Sequence, residues 1–139
     1  MIYLDTSAMV KLLVVEAESS ELLAWLATDE RADLVVTSDL ARVELMRAAL
    51  RLDDPGLLGD ARTLLGGIDS LAISAAVIEQ AQTIGTPALR SLDAIHLASA
   101  AQLKAELSTF VTYDKRLGEA AAALGMVVAT PGANDVAGQ

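Results

Sequence analysis

Met1-Ile2-Tyr3-Leu4-Asp5-Thr6-Ser7 opens the chain with a short apolar run that stops on an acid and two hydroxyls. Ile2, Tyr3 and Leu4 have strand character, and from Ala8 to Val15 the sequence is again almost wholly apolar. A strand that begins at the first residue and ends on Asp, Thr and Ser ahead of a helix has the form of the first central strand of a parallel sheet. In open α/β sheets ligands bind outside the carboxyl ends of such strands, so Asp5 stands at the mouth of any site. The same acid has a second use, as N-cap of the helix that follows. These seven residues alone leave both uses open.

Outward from this stretch, short apolar runs alternate with helical periodicity. Ser7 is placed to cap a helix over 7–15, whose only charge is Lys11. Residues 16–29 predict a second helix, with Leu22, Leu23, Trp25 and Leu26 on its apolar face and Glu16, Glu18, Glu21 and Glu30 marking the wet one. Leu34, Val35 and Val36 form a buried-type strand ending on Thr37 and Ser38. A third helix covers 39–51. There Leu40, Val43, Met46, Ala49 and Leu50 have helical spacing, and Glu44 lies at the edge of that face, about 100° round from Val43. Asp53-Asp54-Pro55-Gly56 is a turn, and Leu57, Leu58, Leu64 and Leu65 belong to a fourth helix stopped by Gly66-Gly67. Residues 69–73 are a weak strand. Ser74 caps a helix through Ile84, and after Thr86-Pro87 another helix runs from Ser91 to Glu106. A strand over 109–112, a helix over 117–124 with Gly125 as its stop and a strand over 126–129 complete the set. The pattern predicts an α/β fold whose parallel sheet is covered by helices on both faces. It forms one domain over 1–130, followed by a loose tail over 131–139.

Composition narrows the chemistry. Apolar residues make up 53% and aromatics 3%, so the core is Leu, Val, Ala and Ile. A chain of 139 residues buries roughly two-thirds of its unfolded surface. Cys is absent, which excludes disulfides and thiolate metal sites and suits a reducing cytoplasm. No apolar run reaches the ~18 residues of a membrane span, and no basic region precedes an apolar core at the N-terminus. The expected location is therefore cytoplasmic, without membrane contact. Nineteen acids against ten bases, a net charge of −9, argue against a broad phosphate-binding surface. They leave room for a metal-dependent nuclease, because a cation bound among carboxylates inverts the local field.

Four acids stand out. Asp5 and Asp114 end strands and belong at the carboxyl edge of the sheet. Asp93 lies in the first turn of a largely buried helix, and Glu44 lies beside an apolar helix face. Singly each has a plain use: Asp93 complements a helix dipole, and Glu44 pairs with Arg47 or Arg51. Together, four carboxylates without four matching bases repel one another unless they share a hard cation. An oxygen donor set with a single His in the chain suits Mg2+ or Mn2+. Asp5 and Asp93 would hold the ion, with Glu44 and Asp114 joining directly or through water. Such ions activate water and stabilise in-line displacement at phosphorus.

Four segments then carry a resemblance: YLDTSAMVKLL (3–13), TSDLARVEL (37–45), LRSLDAIHLASA (89–100) and VTYDKRLGEAAAALGMVV (111–128). In this order and spacing the chain resembles a PIN domain of the VapC type, the toxin of bacterial toxin–antitoxin pairs, over residues 1–129. The resemblance implies a PIN-like three-layer fold with a five-stranded parallel sheet. It implies Mg2+- or Mn2+-dependent endoribonuclease activity that leaves 5′-phosphate and 3′-hydroxyl ends. A small cognate antitoxin is the implied partner and a homodimer the implied assembly. Asp5, Glu44, Asp93 and Asp114 fall on the family's acidic quartet, and Thr6, Ser38 and Thr112 on its polar support positions. A second acid close after Asp114, which some relatives have, is missing, so one ion and two ions both stay open.

Lys11, Arg90, Lys115 and Arg116 lie near the expected mouth in sequence and are candidates for holding RNA phosphates. Solvated helix-end charge is the other use of Lys115 and Arg116. His96, three residues after Asp93, is expected as a packed or hydrogen-bonded structural histidine, since activated water needs no separate base. The apolar faces around 7–29 and 40–65, Trp25 among them, are core or a surface for an antitoxin segment. Three competing functions remain to weigh. An aspartyl-phosphate phosphotransferase asks for a second Asp where Ser7 stands. A receiver domain asks for paired acids and for a Lys where Ala129-Thr130 follows the last strand. A catalytically silent PIN-like module that only binds protein has no need of the intact quartet.

Overall fold

The computed structural model describes residues 1–28 and 34–133. Five strands, β1 (Ile2–Leu4), β2 (Val35–Ser38), β3 (Asp69–Leu71), β4 (Thr109–Val111) and β5 (Val128–Ala129), form one sheet in the order β3-β2-β1-β4-β5. Every neighbouring pair is parallel. The helices are α1 (Thr6–Leu13), α2 (Ser19–Thr28), α3 (Asp39–Arg51), α4 (Pro55–Gly66), α5 (Ala75–Ala81), α6 (Ser91–Ala101) and α7 (Lys115–Ala123). Strand order grows from β1 to β3 on one side, then reverses to β4 and β5 on the other. The crevice outside the carboxyl ends of β1 and β4 is therefore the topological switch point, where such sheets bind ligands.

Side chains alternate across each strand, and this builds two cores. Ile2 and Leu4 are buried on one face with Met9 of α1, Leu22 of α2, Leu45 of α3 and Leu65 of α4. Tyr3 points to the opposite face and is buried with Leu97 of α6, Phe110 of β4 and Leu117 of α7. The result is helix–sheet–helix, as the pattern predicts. Burial of each such large side chain contributes about 1.5–3 kcal/mol. Among the described residues no helix is long and apolar enough to cross a membrane.

Element boundaries differ from the sequence expectation where local hydrogen bonds intervene. Helix α1 starts at Thr6 and is capped by Asp5, so Ser7 sits inside it rather than at its cap. Residues 16–18 form a turn before α2, because Ser19 Oγ accepts from Glu16 N (2.9 Å) and donates to Val14 O (3.0 Å). Helix α5 stops at Ala81, and α6 stops at Ala101 ahead of a 3-10 turn over Lys104–Glu106. Helix α7 starts two residues early, because Asp114 accepts from Leu117 N (3.1 Å) and caps it. Strand β3 ends at Leu71 and β5 begins only at Val128. Gly125, at φ +86°, ends α7 as expected.

Two apolar faces also turn differently. In α3 the buried stripe is Ala41, Leu45 and Ala49, while Val43 and Leu50 are 61% and 51% exposed. Glu44 therefore stands beside the inner stripe, not at the edge of a Val43 face. In α2, Leu23 is exposed whereas Trp25 packs against the first core. Asp29 and Glu30, expected at the end of α2, lie outside the described residues. Of the expected tail, Pro131 O accepts from Tyr113 Oη (2.7 Å). Gly132, at φ +82°, lies so near the start of α2 that a Cβ would meet Glu21 Cβ at 2.9 Å. Residues 134–139 lie outside the described residues.

Candidate active site

Strand register sets the first acid. Leu4 of β1 pairs with Val111 of β4, which carries Asp5 to the level of Thr112. Thr112 Oγ1 donates to Asp5 Oδ2 (2.5 Å), and Ser7 Oγ (2.7 Å) and Ala8 N (2.9 Å) donate to Oδ1. A carboxylate has about four acceptor positions, so one remains on Oδ2. Asp5 is thus both the cap of α1 and a carboxylate at the switch point. Thr112 Oγ1 also accepts from Asp114 N (3.0 Å), so one hydroxyl ties Asp5 to the backbone of the fourth acid. Burial pushes the Asp5 carboxyl above its usual range, and the donors from Thr112, Ser7 and Ala8 recover only part of that shift.

Glu44 reaches the same end of the sheet from α3. Its Oε1 accepts from Thr6 Oγ1 (2.6 Å) and bonds His96 Nε2 (2.7 Å). Thr6 Oγ1 lies 3.1 Å from His96 Nε2, and His96 Nδ1 lies 2.7 Å from Tyr3 Oη. Burial works to raise the Glu44 pKa, but the hydrogen bonds from His96 and Thr6 outweigh it and hold this carboxyl below its usual range.

Asp93 and Asp114 meet across a cleft of about 310 Å3 between the N-terminal ends of α6 and α7, together with Arg90, Lys115 and Arg116. The Asp93 carboxyl is pushed up, first by burial and next by the Asp114 charge, with Asp5 and Glu44 adding to it. All four acids thus act on one field. They do not close on a common point: among the described residues no three His, Asp or Glu side chains stand in position to hold a metal ion. The donor chemistry nonetheless suits a hard ion, being carboxylate oxygen with hydroxyl support.

The remaining predicted residues divide. Arg90, Lys115 and Arg116 line the cleft, but Lys11 does not. Lys11 is paired with Glu18 (2.8 Å) and Glu16 (3.4 Å) and sits over the Tyr113 ring, 4.9 Å from its centroid. Ser38 caps α3 through Leu40 N (3.1 Å) and bonds none of the four carboxylates among the described residues. An aspartyl-phosphate mechanism asks for an acid at position 7, where the Ser7 hydroxyl is engaged with Asp5 itself.

The PIN-domain profile matches residues 2–123. Ribonuclease VapC47 of Mycobacterium tuberculosis is 53% identical over 134 residues, covering 96% of this chain and 98% of that protein. Ribonuclease VapC35 of the same species is 48% identical over 135 residues, covering 95% and 98%. The chain belongs to the VapC ribonuclease family of PIN domains. The fold of M. tuberculosis VapC20, described as a toxin that cleaves the sarcin–ricin loop, superposes with a TM-score of 0.73 at 19% identity, covering 94% of this chain and all of that one. A Klebsiella pneumoniae toxin–antitoxin complex gives 0.69 at 23% identity, covering 94% and 98%.

In this VapC-family chain two polar residues near the acids escaped the sequence reading as site residues. Ser7 was legible only as a cap, yet its hydroxyl bonds Asp5 and accepts from Tyr113 N (2.8 Å). Tyr3 was legible only as strand, yet it is the partner of His96. An aromatic hydroxyl two residues before a strand-end acid was the available signal for Tyr3. For Ser7 it was the hydroxyl two residues after that acid.

Proposed function

We propose that this VapC-type ribonuclease toxin is a Mg2+- or Mn2+-dependent endoribonuclease that hydrolyses RNA phosphodiesters in single-stranded or looped segments. One observation carries the metal dependence. Asp93 has no hydrogen-bond donor among the described residues and lines one cleft with Asp114. Burial first, then the Asp114 charge, push its carboxyl up, with smaller contributions from Asp5 and Glu44, and a hard cation suits such a carboxylate set. A Mg2+ or Mn2+ ion bound there supplies activation of water and neutralisation of charge at phosphorus. Asp5 and Asp93 hold it, and Glu44 and Asp114 complete or orient its shell. Thr6 and Thr112 fix Glu44 and Asp5 through their hydroxyls, while Ser38 acts indirectly by starting α3.

Arg90, Lys115 and Arg116 bind the phosphates on either side of the scissile bond. They sit on the rim of the acidic group, which lets a chain of net charge −9 accept a polyanion at one place. The new bond joins water oxygen to phosphorus and the broken bond is P–O3′, so the products carry 5′-phosphate and 3′-hydroxyl ends. RNA as substrate places the protein in the cytoplasm. Its partner is a small antitoxin that covers exposed apolar side chains of the α1–α2 and α3–α4 faces, such as Val15, Leu23 and Leu50, and the toxin pairs with a second copy through other helices. Sequencing the RNA ends formed by purified protein with Mg2+ or Mn2+ tests the reading. Metal-dependent 5′-phosphate ends support it, and 2′,3′-cyclic phosphate ends overturn it.

A further inference from the structure

We infer that His96 is a positioning residue of the acidic site: its Nε2–H, aimed by Tyr3, fixes Glu44 of α3 relative to Asp93 of α6. The inference rests on the proposal that Glu44 and Asp93 serve one metal-binding group.

Both ring nitrogens of His96 are engaged, and the side chain is 2% exposed. Nδ1 meets Tyr3 Oη at 2.7 Å and Nε2 meets Glu44 Oε1 at 2.7 Å. Tyr3 is wholly buried. A carboxylate oxygen only accepts, so Nε2 carries its proton toward Glu44. In the neutral ring Nδ1 is then the acceptor, and the Tyr3 hydroxyl facing it donates.

Tyr3 has no freedom to release this arrangement. Its ring stacks on Phe110 at 5.2 Å and 4° and meets the His96 ring edge-on at 5.9 Å and 80°. Asp93 precedes His96 by three residues in α6, so the two lie on one side of the helix. Among the described residues the Glu44–His96 bond is the direct polar tie between α3 and α6. It therefore sets where Glu44 stands with respect to Asp93. No nitrogen of His96 is left to face substrate, which argues against a role as general base.

Outer hydrogen-bond partners of ligating carboxylates are typically worth 10–100-fold in metal affinity. The test is calorimetric titration of the chelator-treated full chain with MnCl2, alongside thermal melts and RNA-cleavage kinetics. The set is wild type, His96→Ala, His96→Gln, Tyr3→Phe and, as control, Asp5→Asn. His96→Ala should bind Mn2+ about 10–100-fold more weakly and lose kcat with KM for RNA retained. His96→Gln restores an N–H toward Glu44 and should recover most of both. Tyr3→Phe keeps the ring and removes the proton that aims His96, so it should lie between them with native circular dichroism.

The inference is overturned if His96→Ala, or Tyr3→Phe should that variant not fold, binds Mn2+ as tightly as wild type while Asp5→Asn does not. It is also overturned if His96→Gln is as impaired as His96→Ala, since the position then matters for packing alone. If Asp5→Asn keeps full Mn2+ affinity, the metal proposal itself fails and this inference falls with it.

Discussion

Asp5 serves two masters, the α1 cap and the acidic group, and a single atom exchange separates them. In Asp5→Asn the amide oxygen still accepts from Ala8 N, and Asn is among the best N-caps. The nitrogen faces the Thr112 hydroxyl, which has a lone pair to accept it. The fold should therefore survive, with a melting temperature of the metal-free protein equal to or above that of wild type, because one repelling charge is gone. RNA cleavage should vanish. Cleavage at the wild-type rate would exclude Asp5 from the chemistry.

The same residues give pH dependence a sign. Asp5 and Asp93 have carboxyls raised above the ordinary value of 3.8. Their folded forms hold a proton more tightly than the unfolded chain does. The stability this contributes is fully present below about pH 3.8 and is lost as pH rises through the raised values. Glu44 is lowered from 4.5 and acts in the opposite sense, losing its contribution as pH falls through its lowered value. Metal-free protein should thus lose melting temperature between pH 4 and neutrality, and Mn2+ should remove that loss. A flat profile in chelator would contradict the crowding of acids described above.

At the scale of elements, the first turns of α6 and α7 carry opposite demands. Lys115 and Arg116 stand at the start of α7, where a positive charge opposes the helix dipole by about 0.3–1 kcal/mol. Asp114 at the cap favours the same helix end. Bases kept in an unfavourable place, lining a cleft with two acids, point to use rather than to stability. Arg116→Gln should therefore raise KM for RNA and flatten the dependence of KM on salt, as loss of one phosphate contact does. An unchanged KM would return Arg116 to plain solvated charge.

For the whole molecule, the surplus of acids and the strand order act together. The sheet reverses between β1 and β4, and Asp5 and Asp114 follow those two strands at their carboxyl ends, while Asp93 of α6 lines one cleft with Asp114. Cation binding to the folded arrangement should stabilise the whole chain by mass action, about 2.7 kcal/mol when free Mn2+ is about 100 times its dissociation constant. Melting curves across a MnCl2 series should rise accordingly in wild type and stay level in Asp5→Asn. An equal rise in both would place the bound ion elsewhere on the acidic surface.

The α/β alternation, the central place of β1, the parallel sheet and the four acids as candidates were all legible in the chain itself. They depend on local features: apolar runs of strand length, helical periodicity, and acids standing where a strand stops. Local pattern did not reveal which stripe of α3 faces inward, because the Val43 and Leu45 stripes both repeat at helical spacing and only packing against α1 and α4 chose Leu45. It did not show that Lys11 is held by Glu16 and Glu18 away from the cleft. Nor did it show that Tyr3, His96 and Glu44 form one chain of hydrogen bonds, whose links span 93 and 52 positions. Such contacts are set by strand register and by the angle at which helices cross the sheet, and these exist only once distant segments have packed.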